Sequence, residues 1–90
     1  VNTYRTKFWA RCPVNQQAID YALRIDTGEV IPAERIREEV ERIVSGLHEE
    51  IADGLHAKFG GSQTLTAHHH GVDIETIRPH LAHWQKGGTA

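Results

Sequence analysis

Seven histidines fall within 90 residues, and three of them stand together as His68-His69-His70. Imidazole is the side chain whose charge changes nearest neutral pH, and it is also a common metal ligand. On a strand, His68 and His70 project to one side, and Asp73 stands opposite His68 across a tight turn. His68, His70 and Asp73 are therefore the candidate ligands for zinc or another transition metal, because imidazole and carboxylate together suit such ions. His80 and His83, three apart, add a ligand if the tail folds back. No HExxH or other spaced ligand string accompanies them, and His48 and His56 are eight apart, too far for one helical turn. The simpler expectation is an exposed hairpin tip where His68 pairs with Asp73 and no cofactor is held. Such a tip gains positive charge in mild acid.

A second set carries charge. Arg5, Lys7, Trp9 and Arg11 fall on one side of a strand, and Arg24 lies beside Arg5. An aromatic ring between cations on an open sheet face suits a single-stranded nucleic acid, by stacking and phosphate contacts. It also suits a protein partner or a subunit interface, where Trp and Arg are enriched. The net charge of −2 and Asp20 opposite Trp9 weigh against nucleic acid. An interface between copies is the leading expectation, with a solvated face beside it, where Lys and Arg stems cover Trp9.

Cys12 is the only cysteine, so no disulfide forms within the chain. It shares a strand face with Phe8 and Ala10, which predicts a small buried residue rather than a nucleophile. Cysteine–histidine catalysis requires an imidazole close in space, and sequence spacing does not supply one. Glu38, Glu39, Glu41, Glu49, Glu50 and Asp53 read as the acidic outer face of a helix. No P-loop, GxGxxG, GxSxG or zinc-finger spacing occurs.

The elements that must position these groups follow from periodicity. Residues 3–12 and 17–25 alternate apolar with polar, which predicts two strands. A loop at 13–16 sets Ala10 opposite Ile19, Phe8 opposite Tyr21, Thr6 opposite Leu23 and Tyr4 opposite Ile25. Both apolar sets then share a face, and a slip of one residue destroys the match. Pro32 opens a helix, and Ile36, Val40, Ile43, Val44, Leu47, Ile51, Leu55 and Phe59 recur at helical spacing. We expect one long helix from here to Gly60-Gly61, bent or briefly broken near Gly46. A turn at His70-Gly71 pairs His69 with Val72, Ala67 with Ile74 and Leu65 with Thr76.

The result is an α+β two-layer sandwich in the order β-β-α-β-β, with a four-stranded antiparallel sheet and the helix on one face. Residues 1–79 form a single domain; 80–90 form a short helical turn and a flexible tail. Composition agrees, with 39% hydrophobic and 24% charged residues. So small a core favours oligomerisation, and a homo-oligomer is expected. No apolar run approaches membrane-spanning length, and Val1-Asn2-Thr3-Tyr4-Arg5 is not a signal peptide, so a cytoplasmic location is expected.

The strand-strand-helix-strand-strand order is similar to that of tunnelling-fold subunits. That resemblance implies assembly into barrels and binding of purines or pterins between subunits. It also implies two helices between the hairpins, which a break at Gly46 supplies. No motif string assigns that family's ligand-anchoring glutamate here. Three functional readings follow. The leading one is a non-enzymatic binding or assembly module acting through the exposed sheet face. The second is a metal-dependent or purine/pterin-type enzyme using the His68–His70 hairpin. The third is a single-strand binder using Arg5, Lys7, Trp9 and Arg11.

Overall fold

A computed structural model describes residues 1–80 of the chain. Its elements are β1 (Asn2–Arg11), β2 (Ala18–Thr27), α1 (Ala33–Glu41), α2 (His48–Phe59), β3 (Ser62–His69) and β4 (Val72–Arg78). The strands form one antiparallel sheet in the order β1-β2-β3-β4. The α+β class and the four-stranded antiparallel sheet are as expected. The helical turn expected near His83 lies on residues 81–90, outside the described ones.

Both hairpin registers agree with the pairing derived from alternation. Phe8 faces Tyr21, Ala10 faces Ile19 and Tyr4 faces Ile25. His69 faces Val72 and Ala67 faces Ile74. The physical reason is the period of two, since any other register buries Arg24 or Lys7. The two central strands then align Leu23 with Leu65 and Tyr21 with Ala67. His70 and Gly71 both take positive φ, 54° and 76°, as a two-residue turn of this handedness requires.

The single long helix is not what the chain forms. Two helices stand in its place, separated by residues 42–47. That link leaves the helix because it finds a strand partner. Arg11 N–H donates to the Val44 carbonyl at 2.9 Å, and Gly46 N–H donates to the Arg11 carbonyl at 3.3 Å. A glycine suits position 46, where a Cβ would meet the Ile51 side chain at 3.1 Å. A continuous helix of 28 residues would run about 42 Å, against roughly 33 Å for a ten-residue strand, so the break keeps the helices over the sheet.

The core lies between the helices and one sheet face. Ile25, Leu65 and Val40 are its most enclosed large side chains. Burying each contributes about 1.5–3 kcal/mol before entropy is counted. Phe8 and Tyr21 stack at 5.1 Å under the helices. At the far end, buried Gln63 donates to the Leu55 and Gly60 carbonyls at 3.2 and 2.7 Å, satisfying the end of α2. Arg78 reaches from β4 to Glu49 and Asp53 at 2.6 and 2.8 Å, fastening α2 to the edge strand. No described helix is long and apolar enough to cross a membrane.

Candidate functional site

The residues flagged for charge do share the uncovered sheet face. Arg5, Lys7, Trp9, Arg11 and Arg24 are all exposed there. Trp9 is 56% exposed, and the Arg11 guanidinium lies 5.6 Å from its ring centroid. Arg24 is held by Asp26 at 2.9 Å. Thr3 and then Arg24 lower the pKa of Asp26, keeping it ionised. Rows of residues cross this face from β1 to β4: Trp9-Asp20-His68-Asp73, then Lys7-Ala22-Thr66-Glu75, then Arg5-Arg24-Thr64-Ile77.

The histidine tip divides. His68 Nδ1 donates to Asp73 Oδ1 at 2.7 Å across the strands. The turn carries His70 away from that pair, and its ring lies 4.2 Å from His69 instead. No set of three His, Cys, Asp or Glu side chains is arranged to hold a metal ion among the described residues.

A different group of chemical residues meets on the helix side. A pocket of about 220 Å³ is lined by Cys12, Ile19, Tyr21, His48, His69 and Ile74, with Gly46, Leu47 and Ala67. Three elements place them. Cys12 directly follows β1 and is buried; its N–H donates to the Gln17 carbonyl and its carbonyl accepts from Gln16 N–H, both at 2.8 Å. The 44–46 link, pinned to Arg11, delivers His48 to the first turn of α2 above Tyr21, with ring centroids 5.7 Å apart. Glu50 accepts from Leu47 N–H at 3.3 Å and fixes the start of that helix. His69 reaches the pocket from the end of β3.

Burial dominates the electrostatics of this pocket. Both ring nitrogens of His48, and Nε2 of His69, are buried without a hydrogen-bond partner. Burial, more than any neighbouring charge, pushes the His48 pKa below its usual value, so the ring is neutral at pH 7. The Leu65 backbone lies near enough to favour the proton but makes no hydrogen bond with either ring nitrogen. Burial raises the Tyr21 pKa, and Cys12 adds to the shift. The pocket therefore gathers a thiol, a phenol and two imidazoles, with three ring nitrogens left unsatisfied.

Spacing alone missed His48. A signal was present, because it stands four residues after Val44 and three before Ile51, a polar ring on an apolar stripe. By contrast His56, further along α2, is satisfied. Its Nε2 lies 3.1 Å from the Gly61 carbonyl and 3.0 Å from that of Pro79.

The fold matches one already solved. The crystal structure of the archaeosine synthase QueF-Like in its apo form superposes with a TM-score of 0.69 at 20% identity, covering 86% of this chain and 89% of that one. At that identity the likeness is one of fold. No protein-family model matches the sequence, and no curated protein matches it.

Proposed function

We propose that the chain is a subunit of a homo-oligomer that binds a flat nitrogen heterocycle of the purine or pterin class at the Cys12–His48–His69 pocket. The observation that carries this reading is His48, whose two ring nitrogens are both buried and unpartnered. A neutral imidazole offers one N–H and one acceptor, and leaving a buried group unmade costs about 1–3 kcal/mol. The two nitrogens point in divergent directions, so a donor or acceptor on a heterocycle edge satisfies one of them and a further polar group the other. Tyr21 and Ile74 supply flat and apolar walls. The tunnelling-fold resemblance adds the ligand class.

Size supports the oligomer. Small-molecule sites usually measure about 300–1,000 Å³, so a pocket of about 220 Å³ lacks a wall that a second copy supplies. The open edges of the sheet suggest how copies meet. Apart from contacts at Arg11 and at the Lys7 and Ile77 carbonyls, the backbone along the outer edges of β1 and β4 has no hydrogen-bond partner among the described residues. Pairing β1 with β1 sets Arg5 and Lys7 against like charges, and pairing β4 with β4 does the same with Asp73 and Glu75. Pairing β4 with β1 sets acid against base. Such head-to-tail contacts close into a ring when the rotation between copies closes. This moves the contact from the sheet face, where it was first expected, to the sheet edges.

Calorimetric titration of pterin and guanine into the protein tests the binding claim. Saturable binding lost in His48→Phe supports it; no heat from either ligand, or equal binding by His48→Phe, sinks it. Sedimentation tests the assembly. Glu75→Lys should shift the protein towards monomer, and adding Lys7→Glu should restore the larger species. A thiol lining the same pocket as two imidazoles also favours an enzymatic reading, in which the Cys12 sulfur adds to a C=N carbon of the ring while the π pair moves to the nitrogen and the thiol proton passes to that nitrogen. Mass spectrometry of the ligand-saturated protein decides this, because a covalent adduct abolished by Cys12→Ser requires an enzyme-like step. The metal reading of His68, His70 and Asp73 fails if zinc leaves the melting temperature unchanged.

A further inference from the structure

A larger hollow than the helix-side pocket runs as a trough along the uncovered sheet face. Its cationic end, about 640 Å³, is lined by Arg5, Lys7 and Arg24 over a floor of Ala22, Thr64 and Thr66, with one carboxylate, Glu75, on the β4 side away from the β1 cations. Its aromatic end, about 460 Å³, holds Trp9, Asp20 and His68 and shares Lys7, Ala22 and Thr66 with the first. Small floor residues make the hollow, and the longer side chains of β1 stand as its wall. Arg5 and Lys7 form no ion pair among the described residues, and nor does Arg11, which covers one side of Trp9.

The order of groups along the trough specifies a ligand. Arg5, Lys7 and Trp9 alternate on one side of β1, so they are spaced about 7 Å apart. A flat ring laid on the free side of Trp9 puts an attached phosphate beside Lys7, with Arg5 and Arg24 beyond it. Asp20, directly across from Trp9, accepts hydrogen bonds and donates none when ionised. A carboxylate at the aromatic end repels phosphate but suits an exocyclic amino group, as acidic side chains do when they accept from cytosine. We infer that this trough binds a phosphate joined to an amino-bearing base, either a free nucleotide or one unit of a single strand, with the base between Trp9 and Asp20 and the phosphate at Lys7, Arg5 and Arg24.

The lining of this trough shares Tyr21 with the helix-side pocket, but the groups assigned to the ligand, Trp9, Asp20, Lys7, Arg5 and Arg24, are all outside that pocket, so the inference stands without it. Cytidine monophosphate is the probe, because it is neither a purine nor a pterin. Its binding is read by tryptophan fluorescence at low salt in Trp84→Phe protein, where Trp9 is the sole tryptophan. Cytidine monophosphate should quench Trp9. Uridine monophosphate, which lacks the amino group, and cytidine, which lacks the phosphate, should each bind about tenfold more weakly. Lys7→Gln and Arg5→Gln should each weaken binding several-fold and flatten its salt dependence, while His48→Phe should leave it unchanged. A short oligocytidylate that binds tighter than the monophosphate supports the site with a strand as its source; equal affinity supports it with a free nucleotide. No quenching at millimolar ligand, equal affinity for cytidine and its monophosphate, or loss of binding in His48→Phe overturns the inference.

Discussion

The two faces of the sheet are made from alternate residues of the same four strands, yet they offer a ligand opposite surroundings. One face carries cations with water beside them, and Arg5 and Lys7 have no ion pair among the described residues. On the other side Cys12 is buried, and His48 from α2 and His69 from β3 are half-buried against a largely apolar lining. Charge on the open face is inexpensive to hold because water solvates it, so it adds little to stability and remains available for binding. An unpaired polar atom on the enclosed side is costly, so its presence there points to a missing partner. The difference teaches where to look: a charged group draws notice in the sequence, whereas the more informative group here is a neutral one in the wrong place.

The comparison breaks first at Tyr21. It is 2% exposed and lies under both Phe8 and His48. Tyr21→Ala should cost about 3–5 kcal/mol in denaturant unfolding, the usual loss for a large buried aromatic. Trp9→Ala, of similar size but on the open face, should cost less than about 1 kcal/mol. Equal losses would mean that the open face is covered.

His48→Phe sharpens the contrast. A phenyl ring fills the same space without unmet hydrogen-bonding atoms, so stability should rise by about 1 kcal/mol even as heterocycle binding is lost. A loss of stability would show that the His48 nitrogens have partners after all.

The same residue sets a pH dependence. Burial lowers the His48 pKa in the folded state. As pH falls below about 6.5, unfolded His48 takes up a proton before folded His48 does, so this residue's contribution to stability declines. Urea unfolding of the wild type should therefore weaken relative to His48→Phe across that range, and parallel curves would count against a buried neutral ring.

The smallest effect belongs to the cations. Arg5→Gln and Lys7→Gln should each change unfolding stability by no more than about 0.5 kcal/mol, because neither makes an ion pair among the described residues. A larger loss would assign them a structural role.

Most of the fold was legible because a period of two allows one register. Phe8 opposite Tyr21 and Ala67 opposite Ile74 follow from which face must be apolar. The break between α1 and α2 was legible only as a weakness at Gly46. What fixes it is the pairing of Val44 and Gly46 with Arg11, more than thirty residues away in sequence, and no local pattern encodes that contact. The site divides in the same way. Arg5, Lys7, Trp9 and Arg24 lie on neighbouring strands, so alternation brings them together. Cys12, His48 and His69 come from a strand end, a helix start and a hairpin tip, and only the tertiary fold makes them neighbours. The His68–His70 run drew attention by its composition, but the turn sends its members to different partners.

The most direct measurement is NMR of isotope-labelled protein during titration with pterin. If the enclosed pocket is the binding site, amide signals of Cys12, Leu47, His48 and His69 move together and saturate, while those of Arg5, Lys7 and Arg24 stay in place. Movement confined to the open face, or no movement at all, would contradict the account.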